Sequence, residues 1–345
     1  MADQLSNSVI FLCKLAKDML EVTTNRQDFG VQDMETGMSR ISLIGAPVDS
    51  GQRNLGCLMG PDAYRVAGIE KLLTELGHEV RDLGNLSPGV LPHAHCDNPA
   101  VDQLDETLGW TKVLRHRVAE VLAGGRMPVT LGGDHSLALG SVAGAAEHAT
   151  RAGRPLFLMW LDAHSDFHTP MTTVSGNLHG TPVAYIAGRS GFDAFPPFPA
   201  PIPAEQICLF GIRSVDTAEH EALLRYDIAM NDMRVLDERG IVAPLREFLE
   251  RVRAANGLLH VSLDVDFLDP SIAPAVGTTV PGGATFREAH LVCELLHESG
   301  LMSSLDLVEL NPFLDERGRT AKLMVDLVGS LMGKKVFDRP TRSFH

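Results

Sequence analysis

Leu156-Phe157-Leu158-Met159-Trp160-Leu161-Asp162-Ala163-His164-Ser165-Asp166 is the stretch on which the fold turns. Six apolar residues in a row, without alternation, mark a strand buried on both faces of a parallel sheet. The run gives way to Asp162, His164 and Asp166, spaced i, i+2 and i+4. If extended geometry continues past Leu161, a period of two places all three side chains on one face. Two carboxylates and an imidazole aimed at one point are mixed oxygen and nitrogen metal ligands. Taken alone, the stretch reads equally well as a polar strand end entering a turn, where Asp is common. Two distant stretches decide between the readings.

Met127-Pro128-Val129-Thr130-Leu131 runs as a strand into Gly132-Gly133-Asp134-His135-Ser136, and Leu258 to Val265 runs as a strand into the pair Asp264 and Asp266. Further strands are expected at Arg40–Ala46, Glu79–Gly84, Gln206–Ile212 and Leu305–Leu310, with a short one within Ile228–Leu236. Between them lie helical spacings at Pro61–Ile69, Leu104–Ala123, Ser141–Ala152, Pro182–Gly188, Ala218–Tyr226, Pro244–Ala255, Phe286–Ser299 and Ala321–Met332. Pro61 sits at a first-turn position, and Gly124-Gly125 stops the second of these helices. The small residues of Ser141–Ala152 suit a helix lying close against a sheet. Strand alternating with helix predicts an α/β protein with a mainly parallel sheet. In such sheets the functional loops lie beyond the strand C-termini, and every unusual polar cluster here lies there.

The 345 residues are 44% hydrophobic and 21% charged, an ordinary globular balance. The formal net charge of −14 argues against nucleic acid or an anionic membrane as a partner. No run of about 18 apolar residues predicts a membrane span, and Met1-Ala2-Asp3-Gln4 lacks a basic secretory n-region. Five scattered cysteines without a CxxC read as reduced thiols of a cytoplasmic protein. Regular alternation begins only at Ile41. Residues 1–38 are therefore read as a flexible N-terminal extension, with a short amphipathic helix conceivable at Val9–Leu20, and residues 39–345 as one catalytic domain.

Together the strand ends offer two imidazoles, His135 and His164, and four carboxylates, Asp162, Asp166, Asp264 and Asp266. One divalent ion cannot use six such ligands without excess negative charge, whereas two ions sharing bridging carboxylates can. Hard oxygens with some nitrogen suit Mn²⁺, and Zn²⁺ with fewer ligands. A water between two such ions becomes hydroxide near neutral pH.

The three motifs, Gly132-Gly133-Asp134-His135-Ser136, Asp162-Ala163-His164-Ser165-Asp166 and Ser262-Leu263-Asp264-Val265-Asp266-Phe267-Leu268-Asp269-Pro270, resemble those of the ureohydrolases, the arginases and agmatinases, over roughly residues 40 to 332. The resemblance implies a three-layer α/β/α fold with a mainly parallel sheet of about eight strands. It also implies two Mn²⁺ per chain. One would be held by His135, Asp162, Asp166 and Asp264, the other by His164, Asp162, Asp264 and Asp266, with Asp162 and Asp264 bridging. Within the family, Ser175-Gly176-Asn177-Leu178-His179-Gly180 resembles the arginase substrate loop. Ser175 and Asn177 would then bind an α-carboxylate and His179 would shuttle protons, roles their chemistry allows.

By the same resemblance Asp216 and Glu219 would receive an α-ammonium, although both also read as helix N-terminal acids favoured by the macrodipole. Thr278 and Glu309 would orient a guanidinium, a natural bidentate partner for a buried carboxylate. Two positions depart from the arginase pattern: His168 stands where Asn is common, as a further carboxylate donor, and Ser214 where Asp is frequent. The expectation is a manganese arginase that hydrolyses L-arginine to L-ornithine and urea with a bridging hydroxide, held also by Asp166. By the resemblance it is a homo-oligomer, trimer or hexamer. The alternatives are another ureohydrolase (agmatinase or guanidino-acid hydrolase), a zinc deacetylase of related fold, or a partner protein that has lost its metals.

Overall fold

The computed structural model describes residues 38–89 and 93–335. The expected N-terminal extension and its helix fall on residues 1–37, outside the described residues. Eight strands, β1 (Arg40–Ala46), β2 (Glu79–Asn85), β3 (Met127–Gly132), β4 (Leu156–Leu161), β5 (Ile207–Ile212), β6 (Ala229–Asp232), β7 (Leu258–Asp264) and β8 (Met302–Val308), form one sheet in the order β2-β1-β3-β8-β7-β4-β5-β6. Every pairing is parallel. The chain leaves β3 for β4 three places away, returns from the edge to β7, and ends beside β3. The C-terminal ends of β3, β8, β7 and β4 are thereby brought side by side at the middle of the sheet.

Ten helices cover the two faces: α1 (Gly60–Val66), α2 (Ile69–Glu75), α3 (Leu104–Ala123), α4 (Ala138–Ala152), α5 (Pro182–Ile186), α6 (Thr217–Leu223), α7 (Met233–Arg239), α8 (Val242–Ala254), α9 (Phe286–Ser299) and α10 (Arg319–Leu331), counted among the described residues. The pleat sorts the core. Leu43, Leu131, Met159, Leu161, Val261 and Leu307 pack on one face against Tyr64, Leu73, Phe248, Leu296 and Met324. Ile44, Leu158, Trp160 and Leu209 pack on the other against Leu114, Val118, Val142 and Ile186. As its sequence requires, β4 is buried at all six positions. Among the described residues no helix is long and apolar enough to cross a membrane.

Three expectations change. The helix read across Pro61–Ile69 is two helices, because Gly68 takes φ 93 and starts α2. The last strand begins at Met302 and stops at Val308, where the expectation was Leu305–Leu310. Ser303 and Ser304 hide its start, being polar yet bonded to the neighbouring strand, Ser303 Oγ to Leu259 O at 3.0 Å and Ser304 Oγ to His260 Nδ1 at 2.8 Å. Its end is set by Glu309, whose φ of 65 lies outside extended geometry.

The small residues of α4 serve a helix crossing as well as the sheet. A Cβ added at Gly140 or Gly144 would lie 2.6 Å from the carbonyl oxygen of Thr111 or Arg115 on α3. Backbone oxygens cannot step aside as a flexible side chain would. Gly144→Val is therefore expected to cost about 1–3 kcal/mol or more through overpacking, read as a lower urea midpoint at unchanged slope.

Candidate metal and active site

Four loops carry the site. His135 follows β3 in a short 3₁₀ turn, Leu137 included, that is capped by Asp134, whose carboxylate accepts from Ser136 N–H. Glycine is required just before it, since a Cβ at Gly133 would lie 1.9 Å from Val48 O. Asp162, His164 and Asp166 follow β4, Asp264 ends β7 with Asp266 in the turn after it, and Glu309 follows β8.

The strand period does not bring Asp162, His164 and Asp166 together. The chain bends at Asp162 and Ala163, and Asp166 takes φ 46. Convergence comes from hydrogen bonds within these loops and, at Asp266, between them. Asp162 Oδ1 accepts from His164 N–H at 2.6 Å, Asp264 Oδ1 from Asp266 N–H at 2.7 Å, and Asp266 Oδ1 from Ala163 N–H at 2.9 Å. Each carboxylate is aimed by a backbone amide, and its second oxygen is left to face inward.

Those inward atoms form two overlapping sets. His135 Nδ1 lies 2.9 Å from Asp162 Oδ2, 3.0 Å from Asp264 Oδ2 and 3.3 Å from Asp166 Oδ2. His164 Nδ1 lies 3.0 Å from Asp266 Oδ2 and 3.4 Å from Asp162 Oδ1. Within His135/Asp162/Asp264, and again within Asp162/His164/Asp266, the ligand atoms all lie within 4.8 Å of one another. Asp162 belongs to both sets and turns one oxygen to each histidine. His135 Nδ1, Asp162 Oδ2 and Asp166 Oδ2 are buried with no hydrogen-bond partner, their short approaches having the wrong angles. Buried polar atoms left unmatched and pointed at a shared space are what a cation would satisfy.

The electrostatics agree. Burial and then the charge of Asp162 hold Asp166 well above the usual carboxylate range. Burial and then the charges of Asp266 and Asp162 do the same to Asp264. Asp266 is raised by burial and by Asp162. At Asp162 burial also works upward, but the facing imidazoles of His135 and His164 outweigh it and the net shift is downward. Burial disfavours a charged His164, yet Asp266 and Asp162 push it up to about 12. Such a cluster keeps protons unless another cation replaces them.

A cavity of about 110 Å³ joins all six of these side chains to His168, His179, Glu219, Thr278 and Glu309. Glu309 Oε1 accepts from His135 N–H at 2.7 Å and from the His179 ring Nδ1 at 2.8 Å. A carboxylate only accepts, so Nδ1 of His179 carries its proton and Nε2 is the nitrogen left to act. Burial favours the neutral imidazole, but Glu309 outweighs it and raises the His179 pKa. Thr278 donates to Asp266 Oδ2 at 3.3 Å.

Ser175, Asn177 and Asp216 lie outside the cavity lining. Ser175 and Asn177 stand on a loop whose Gly176 has φ 77 and no room for a Cβ, which would meet Ala100 O at 1.7 Å. Ser175 Oγ accepts from Asn177 N–H at 3.2 Å. Glu219 is already engaged: Oε1 accepts from Ser165 Oγ at 2.6 Å and Phe167 N–H at 2.9 Å, and the residue completes a capping box with Asp216 at the start of α6. Its helix-terminal reading is thus realised.

Several supporting residues escaped the sequence reading. Gln52 Nε2 donates to Glu309 Oε2 at 3.3 Å, and the buried Cys57 thiol lies 3.7 Å from the same oxygen. No local signal announces a contact 257 positions away. The His135 ring stacks on Trp160 at 3.9 Å and 4°, and its Nε2 is 2.8 Å from Ser262 Oγ. Behind Ser262 lies a buried layer in which His260 bonds Ser304 Oγ at 2.8 Å and Asp306 Oδ2 at 3.1 Å, with Ser141 also on Asp306. Alternation along β7 and β8 could have exposed it: His260, Ser262, Ser304 and Asp306 share one face of the sheet.

Comparison with known proteins gives the class. A model of the arginase family matches residues 39–333. The arginase of Agrobacterium fabrum is 56% identical over 310 residues, 90% of this chain and 96% of the relative. The arginase of Brucella melitensis is 58% identical over 303 residues, 88% and 99% of the two chains. The native structure of arginase from Bacillus caldovelox matches with a TM-score of 0.80 at 38% identity, covering 87% of this chain and 100% of that one. The chain belongs to the arginase family, and its eight-stranded parallel α/β/α architecture is that family's fold.

Ser262→Ala should leave His135 Nε2–H without a partner in a buried place. Losses of this kind typically weaken a metal site about 10–100-fold, to be measured by competition for Mn²⁺ against a fluorescent chelator.

Proposed function

We propose that the chain is an arginase that hydrolyses L-arginine to L-ornithine and urea with two Mn²⁺ ions. One observation carries the reading: Asp162 turns its two oxygens toward two different histidines, each within its own set of inward-facing carboxylates. Four carboxylates and two neutral imidazoles sum to the charge that two divalent ions balance. His135, Asp162, Asp166 and Asp264 would hold one ion, and His164, Asp162, Asp264 and Asp266 the other. Bound ions of this kind supply hydroxide near neutral pH.

The chain's own residues then position the substrate and move protons. Glu309 and Thr278 orient the guanidinium at the cavity wall. The Glu309 Oε2 oxygen keeps accepting capacity, because its protein contacts are the longer ones. Asp166 accepts a hydrogen bond from the attacking nucleophile. His179, fixed through Nδ1 by Glu309, exchanges the proton at Nε2 with the leaving amine. Ser175 and Asn177 offer neutral donors to the α-carboxylate, and Asp216 a negative charge to the α-ammonium.

Purified protein is expected to bind two Mn²⁺ per chain by elemental analysis, and to release urea from L-arginine only when metal is present. Asp162→Ala removes the oxygens common to both sets, so it should lose metal and activity together. Full activity in that variant sinks the two-ion reading. His179→Ala should instead keep its metal while kcat falls by about 10²-fold or more, the scale of general acid–base catalysis. An unchanged kcat would leave His179 a loop residue only.

A further inference from the structure

His168 is one of the two positions at which this chain departs from the arginase pattern, and the structure shows what its imidazole does. Nε2 lies 2.6 Å from Asp216 Oδ2, and Nδ1 lies 3.1 Å from Thr172 Oγ1. The carboxylate only accepts, so Nε2 carries the proton. Thr172 Oγ1 accepts from Thr169 N–H at 2.9 Å, and its hydroxyl hydrogen faces two acceptors, His168 Nδ1 at 3.1 Å and Thr169 O at 3.4 Å, of which the imidazole is the nearer. Both ring nitrogens are matched, and His168 retains no N–H for a substrate carboxylate.

Asp216 is matched as well. Its Oδ1 accepts from Glu219 N–H at 3.0 Å, so the carboxylate cannot swing away from the imidazole without uncapping α6. The pair sits at the mouth of the site: the His168 side chain lines the cavity at 13% exposure, while that of Asp216 is 53% exposed. Asp216 is also held below its usual pKa, burial being outweighed by the Glu219 amide and by His168. An incoming ammonium therefore meets a carboxylate that already holds a strong donor on its outward oxygen.

We propose that His168 is a specificity-determining residue that competes with the substrate's α-ammonium for Asp216. It thereby narrows the preference for guanidino amino acids over guanidino acids that lack the amino group. The inference rests on the arginase reading of the site. An asparagine at this position offers a shorter side chain and a weaker donor, and leaves Oδ2 to the substrate.

Three compounds separate the two ends of the substrate. L-Arginine carries both α-groups, 5-guanidinopentanoate only the carboxylate, and agmatine only the ammonium. Urea release is measured as kcat/KM for each with the Mn²⁺-loaded wild type, His168→Asn, His168→Ala and Thr172→Val. Ratios taken within one variant cancel losses common to all substrates. In His168→Asn the ratio of L-arginine to 5-guanidinopentanoate should rise about tenfold, the scale of one hydrogen bond to a charged group. It should rise in His168→Ala too. Thr172→Val, at an exposed residue that steadies the imidazole, should shift the ratio the same way by less.

An unchanged or lowered ratio in the His168 variants overturns the proposal. So does a fall of both carboxylate compounds relative to agmatine, which would assign the His168 N–H to the substrate carboxylate. Urea from none of the three compounds with wild-type enzyme would overturn the arginase reading itself. Urea from L-arginine with a flat ratio overturns this inference alone.

Discussion

Four carboxylates buried within a few ångströms of one another are the constraint the rest of the molecule meets. Asp162, Asp166, Asp264 and Asp266 are each 6% exposed or less. Charges taken out of water cost several kcal/mol apiece unless they are paired and hydrogen-bonded. The fold answers with directed donors. Three backbone amides of the same loops take one oxygen from Asp162, Asp264 and Asp266, and two imidazoles face the others. What remains is a set of inward lone pairs that suits divalent cations. Only a sheet order that sets β3, β8, β7 and β4 side by side can deliver His135, Glu309, Asp264 and Asp162 to the same point.

Two of the five non-glycine residues with positive φ among the described residues lie at that point. Asp166 and Glu309 both take positive φ without being glycine, a conformation costing about 1–2 kcal/mol for a residue with a Cβ. Such outliers persist where the surroundings over-determine them. For Glu309 the determinants are visible: its amide donates to Gly133 O at 2.8 Å, and its carboxylate gathers His135 N–H, the His179 ring and Gln52. One side chain thus couples the turn that presents His135 to the loop that presents His179. Had β8 continued in extended geometry to Leu310, that carboxylate would have followed the pleat instead.

The layer behind the site explains why the strands at its centre are not simply apolar. His260, Ser304, Asp306 and Ser141 satisfy one another in the dry interior, and Ser262 links the same face to His135. A buried polar network whose members are matched is rigid and specifies one packing, whereas a half-matched one is costly. Here it backs His135, whose ring is already stacked on Trp160. The orientation of that imidazole is consequently set from two sides, and its tautomer from one.

The sequence alone determined what short-range periodicity can carry. β4, α3 and α9 were legible to their last residues, because continuous apolar character or an apolar stripe, broken by polar or glycine residues, defines an element locally. The carboxylates and imidazoles that the structure gathers around one cavity, and the loops bearing them, were equally plain from three motifs at strand ends. Tertiary structure alone decided how those residues meet. The period-two argument at Asp162, His164 and Asp166 fails because the loop bends, and backbone amides do the aiming instead, that of His164 on Asp162 within the loop and that of Ala163 on Asp266 across to the next. The start of β8 was hidden because Ser303 and Ser304 are polar for the sake of partners 44 positions earlier in the chain. The same holds for Gln52 on Glu309 and for His168 on Asp216. A side chain's type is written at its own position, but the direction in which its hydrogen bond points depends on which distant strand the sheet places beside it.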